Sequence, residues 1–201
     1  MNWQLFGEVV VTLFVIMDPP GTVPVFLALT GNRRPAERTR AAWQAVAVAG
    51  GVITVFALFG RTILDYMHIS LPALQGAGGL LLLLVALELL TGKADQPETA
   101  AAGNVAMVPL GTPLLAGPGA IVATMVFVQD SDGGLDFLAL GLGIAVVLLC
   151  IWASMRFSVL LLRVLKESGI LLVTRIAGLL LSAIAVQLVA DSVRAFVEGA
   201  G

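Results

Sequence analysis

Asp18-Pro19-Pro20-Gly21 breaks an apolar run that extends from about Leu5 to Thr30, and Gly117-Pro118-Gly119 breaks a second run from Val105 to Val128. A proline inside a helix removes a hydrogen-bond donor and drives its ring against the carbonyl one turn back. Two adjacent prolines followed by Gly21, with Pro24 just beyond, predict local unwinding and not merely a bend. The second run carries Pro109, Pro113 and Pro118 among Gly111, Gly117 and Gly119, and reads the same way. Unwound backbone leaves amides and carbonyls without partners, and in lipid each would cost several kcal/mol. It survives only against protein or a water-filled cavity, so the two breaks are expected to face each other inside a helical bundle.

That these runs lie in lipid follows from composition. The chain has 201 residues, of which 59% are hydrophobic and 12% charged, against about 25% charged in an ordinary soluble domain. The mean hydropathy is +1.01. Six apolar segments follow one another: Leu5–Thr30, Ala41–Leu64, Leu71–Leu90, Val105–Val128, Phe137–Leu162 and Ile170–Val197. Each is long enough for a hydrocarbon core of about 30 Å. None alternates with the period of a membrane strand, which argues against a β-barrel. The first run is too long for a signal h-region and lacks a basic flank, so it reads as the first span. A net charge of −2 argues against nucleic-acid binding, and the lone Cys150 reads as a packing residue.

The expected fold is therefore an all-α integral membrane protein of six transmembrane helices. Its halves match weakly: Pro20-Gly21-Thr22-Val23 with Pro118-Gly119-Ala120-Ile121, and Ala77-Gly78-Gly79 with Ala177-Gly178-Leu179. Each half has an odd number of spans, so the second lies upside down relative to the first, an inverted-topology repeat of the kind found in secondary transporters. Residues 1–92 form the first repeat, 93–104 a cytoplasmic linker and 105–201 the second repeat, and the first helix of each repeat is broken at the midplane. The loops after the odd-numbered spans hold Arg33, Arg34, Arg38, Arg40, Lys93, Arg163 and Lys166, while the other side has Arg61 and Arg194 with Asp130, Asp132 and Asp136. By the positive-inside rule both termini face outward, and the protein is expected in the cell (inner) membrane with its termini periplasmic.

The breaks supply chemistry. Half-helices that begin after Gly21 and Gly119 would offer unpaired amides and a positive dipole end, suited to a carboxylate. The half-helices before them offer free carbonyls, suited to an ammonium group or cation. A small zwitterion fits both. The expected substrate-binding residues are Asp18, Pro20, Gly21, Thr22, Thr112, Gly117, Pro118, Gly119 and Ala120. Asp18 is a carboxylate at membrane depth and so a functional candidate. It either caps the following half-helix, accepts the substrate ammonium or carries a proton. Thr22 and Thr112 either bond substrate or refill lost backbone bonds. Arg175 either snorkels to the interface or pairs with Asp18. Gln187 is expected to bond a neighbouring helix. His68 has no second metal-ligating residue near it in sequence, so no metal site is expected. No nucleotide or haem motif is present, and neither a cofactor nor an enzymatic activity is expected.

Asp18-Pro19-Pro20-Gly21-Thr22-Val23-Pro24-Val25-Phe26 resembles the D-P-x-G-x-x-P-x-F motif of MarC-type membrane proteins. Pro109-Leu110-Gly111-Thr112-Pro113-Leu114-Leu115-Ala116-Gly117-Pro118-Gly119-Ala120-Ile121 resembles the second motif of that family, and Arg175-Ile176-Ala177-Gly178 with Ala183-Ile184-Ala185-Val186-Gln187 resembles its C-terminal pattern. Two positions depart from it: Pro20 replaces a branched apolar residue, and Gln75 stands where arginine is expected. The resemblance to SnatA-like members, and to the related LysE-type exporters, implies transport of small neutral amino acids coupled to a proton or sodium gradient. The alternative is a proton or cation exchanger or channel without an organic substrate. The expected partners are thus the amino acid, H+ or Na+ and the lipid bilayer, with homo-oligomers left open.

Overall fold

The computed structural model describes residues 2–30, 33–91 and 115–199. Among these residues there are helices and no strands. In chain order they are α1 (Trp3–Met17), α2 (Thr22–Thr30), α3 (Pro35–Met67), α4 (Leu71–Thr91), α5 (Pro118–Gln129), α6 (Gly134–Arg156) and α7 (Ser158–Gly199). Three helices, α3, α4 and α6, together with Ser168–Glu198 of α7, are long and apolar enough to cross a membrane, and the bent pair α1–α2 is a fifth candidate if it forms one span. The twelve residues of α5 are too short to cross alone. The first part of the expected fourth span, the expected linker 93–104 and Thr112 lie outside the described residues.

Two boundaries differ from the sequence reading. The fifth span was expected to reach Leu162, but α6 ends at Arg156, where Phe157 leaves helical geometry and its amide closes onto Ala153 and Met155. Residues 157–162 are as apolar as a span, yet they start a new helix. Lys166, at φ 56° and ψ 171°, then interrupts α7 ahead of Ser168–Glu198. Apolar composition alone cannot separate a span from a short helix that precedes one.

Cross-links near the helix termini establish which ends lie together. Asn2 donates to Asp136 at 3.1 Å, joining the starts of α1 and α6. Ser192 donates to the Pro72 carbonyl at 2.7 Å, joining the last part of α7 to the start of α4. One core is built by α1, α3, α5 and α6 around Val9, Leu13, Ala45, Ile53, Val147 and Ile151. A smaller one joins α4 and α7 to α1 through Val15, Leu82, Ala86, Leu181 and Ala185.

The α4–α7 seam is lined by glycine. Gly79 lies on α7 so closely that a Cβ there would stand 2.8 Å from the Ala185 carbonyl and 2.8 Å from Val189. Gly178 lies on α4 in the same way, 3.2 Å from the Ala86 carbonyl and 3.2 Å from Leu90. The two glycines are 99 positions apart, and so are the two alanines that receive them. The sequence match given above pairs Gly78, one residue before Gly79, with Gly178. Removing side chains at such points lets helix backbones approach, the usual basis of helix association in lipid.

Candidate functional site

The first break forms because the local sequence cannot continue α1. Asp18 caps α1 in the left-handed region at φ 38°, donating its amide to the Phe14 carbonyl at 3.1 Å. Aspartate tolerates this conformation better than most residues. Pro19 and Pro20 have no amide to offer, and α2 restarts at Thr22 with its axis turned by 48°.

The turn uses much of its own polarity. The Thr22 amide donates to the Asp18 carbonyl at 3.1 Å and the Val23 amide to the Pro20 carbonyl at 3.1 Å. The Thr22 hydroxyl donates to the Pro19 carbonyl at 2.7 Å, so of its two expected roles it refills a lost backbone bond. The expected row of free amides after Gly21 is accordingly corrected: tight turn bonds occupy Thr22 and Val23, and Pro24 has no amide.

What the turn leaves over is the Asp18 side chain. It is 6% exposed, and neither carboxylate oxygen has a hydrogen-bond partner among the described residues. It therefore does not cap α2. The Gly21 amide and the Thr174 hydroxyl are the polar groups beside it, without completing bonds of good geometry. The Thr174 oxygen is likewise buried and unpartnered. It also lies 3.1 Å from where a Gly21 Cβ would stand, and such a Cβ would run into the Asp18 carboxylate. Gly21 is thus the gap through which α7 brings its hydroxyl to α1.

Thr174 was missed by sequence reasoning, which singled out its neighbour. Arg175 is exposed and does not join Asp18, because adjacent residues on a helix point about 100° apart and Thr174 holds the inward face. Gln187 also departs from expectation, bonding Asp191 on its own helix at 2.9 Å.

The second break starts α5. Gly117 is its N-cap and Pro118 its first residue. The Gly117 carbonyl accepts from Ala120 at 3.0 Å and from Ile121 at 3.2 Å. The Gly119 amide makes no bond to a described residue. Gly119 sits against Leu82 of α4 and Ile16 of α1, with a Cβ position 3.4 Å from Ile16. Ile16 lies just before Asp18, so the two breaks are neighbours in space. Ala120 is buried beside them. No cluster of metal-ligating side chains occurs among the described residues.

A family model described as MarC family integral membrane protein matches residues 3–197. A UPF0056 membrane protein of Methanocaldococcus jannaschii is 39% identical over 202 residues, spanning 96% of this chain and 98% of its own. The UPF0056 membrane protein YhcE of Escherichia coli is 30% identical, spanning 98% of this chain and 96% of its own. The UPF0056 membrane protein YvbG of Bacillus subtilis is 28% identical, spanning 94% of each chain. No solved structure matches the chain.

Proposed function

The chain belongs to the MarC family of integral membrane proteins, and from that premise we propose that it is a secondary transporter of small neutral amino acids, of the size of glycine or alanine. The observation that carries the reading is the pairing of Asp18 and Thr174, whose buried side-chain oxygens have no hydrogen-bond partner among the described residues. Such groups are costly unless something binds them. A substrate ammonium would meet the Asp18 carboxylate and the Thr174 hydroxyl. The substrate carboxylate would meet the amides of Gly21 and Gly119, at the start of the half-helices that follow the two breaks.

The wider architecture in this proposal has six spans. The fourth consists of α5 and the apolar run before it, and the two three-span halves have opposite orientation. The reciprocal seating of Gly79 on Ala185 and of Gly178 on Ala86 supports that relationship. The excess of arginine at the α2–α3 and α6–α7 ends supports an inner-membrane protein with both termini outside. Alternating access would come from one half rocking against the other around the fixed site.

A second reading draws on the same pair. Oxygen ligands at membrane depth also suit a proton or sodium ion alone, as in an exchanger. Purified protein in liposomes, given labelled glycine or alanine under an imposed proton or sodium gradient, separates the two. Accumulation of amino acid supports the first reading. Ion flux that neither needs nor moves an amino acid rejects it for the second.

A further inference from the structure

A different concentration of charge lies at the end of the bundle where α3 begins and α6 stops. A cavity of about 330 Å3 opens there, lined by Arg38 and Thr39 from the start of α3 and by Arg156, Phe157, Ser158 and Arg163 from the α6–α7 corner. No carboxylate among the described residues lines it. Three arginines that line one cavity bring like charges near one another, a repulsion that an anion between them would relieve. Pro35 opens α3 and Ser158 opens α7, and both line the cavity beside the C-terminal end of α6, whose last residue is Arg156.

The walls are amphiphilic. Val159 and Leu160 also line the cavity, 49% and 55% exposed, and Phe157 is 50% exposed. In a membrane protein such side chains face acyl chains. The Arg156 guanidinium lies 5.5 Å above the Phe157 ring, which holds the charge beside this apolar strip. Simple interfacial anchors would point outward separately. Here arginines from two distant segments line one cavity, beside the exposed apolar strip of Phe157, Val159 and Leu160.

The geometry points to a binding site for an anionic phosphate group, supplied by the headgroup of a membrane lipid and clamped between Arg38 of α3 and Arg156 and Arg163 of the α6–α7 corner. Guanidinium groups match phosphate oxygens in pairs, which a zwitterionic headgroup with its own cation satisfies less well. The bound lipid would tie α3 to the corner where α7 starts. The site is independent of what the protein transports.

The test uses the full chain in detergent, with lipid retention read by native mass spectrometry. Phosphatidylglycerol, phosphatidylcholine and inorganic phosphate are the probes. Phosphatidylglycerol is expected to be retained over phosphatidylcholine. Arg38→Gln and Arg163→Gln are each expected to lower its retention about fivefold, while Arg61→Gln, near the far end of α3, leaves it unchanged. If inorganic phosphate alone displaces the lipid and stabilises the protein equally, the site stands with a soluble phosphate as its ligand. Equal retention of both lipids, or full retention by both variants, overturns the proposal. Should a variant fail to fold, wild-type protein still decides: retention must fall as salt rises, and salt-insensitive retention also overturns it.

Discussion

The Thr174 hydroxyl of α7 stands beside the Asp18 carboxylate of α1, with Gly21 leaving the space between them, and neither side chain finds a hydrogen-bond partner among the described residues. Polar groups buried this way rarely persist without a reason. The pair links the last helix to the first break, so a ligand held there touches both ends of the chain at once.

Asp18→Asn tests whether the carboxylate serves structure or ligand. No group among the described residues pairs with it, so removing its charge leaves no orphaned counter-charge among them. The thermal midpoint in detergent is expected to hold or rise, while amino acid uptake in liposomes is lost. A variant that unfolds would mean that the carboxylate supports the fold after all.

Thr174→Val removes the hydroxyl and keeps the branched shape. A hydrogen bond to a charged group is worth about 1.5–3 kcal/mol, so uptake at low substrate concentration should fall at least about tenfold. Thr174→Ser should restore most of it. Arg175→Ala, on the exposed face of the same helix, should leave uptake close to wild type.

The glycine seam predicts a stability contrast. Gly79→Val would press a side chain onto the Ala185 carbonyl and Val189, atoms of a packed helix that cannot swing away. Overpacking of this kind costs about 1–3 kcal/mol. Gly141→Ala on α6 meets no atom within 4 Å and gains helix propensity of about 0.5–1 kcal/mol. Melting in detergent should move down for the first and slightly up for the second.

At the loop after α5, burial and then the neighbouring Asp132 charge raise the Asp130 pKa above its ordinary 3.8. The folded state therefore holds this proton more tightly than the unfolded one. Its ionisation opposes folding at pH above the raised value, and the penalty fades as pH falls through that value toward 3.8. Asp132→Asn should lower the Asp130 titration, as followed by carboxyl NMR shifts, and flatten the pH dependence of melting over that window.

Proline and glycine made the breaks legible in sequence, because Asp18-Pro19-Pro20-Gly21 and Gly117-Pro118-Gly119 forbid continuous helix by sterics alone. Partner choice was not legible. Thr174 and Arg175 are adjacent, and only the rotation of α7 against α1 decides which one meets Asp18. The end of α6 was hidden because Phe157–Leu162 is as apolar as the span before it. The fate of the amides after Gly21 depended on a turn whose hydrogen bonds composition cannot reveal.

The α4–α7 register bears on biogenesis. The Gly79 face of α4 packs on Ala185 and Val189, which the ribosome makes long after α4. Until then α4 presents a notched surface to lipid, and its partner arrives in a helix made much later. Closure of this seam is therefore a late, post-insertion step, and the moment at which it can occur is set by the length of chain still to be translated.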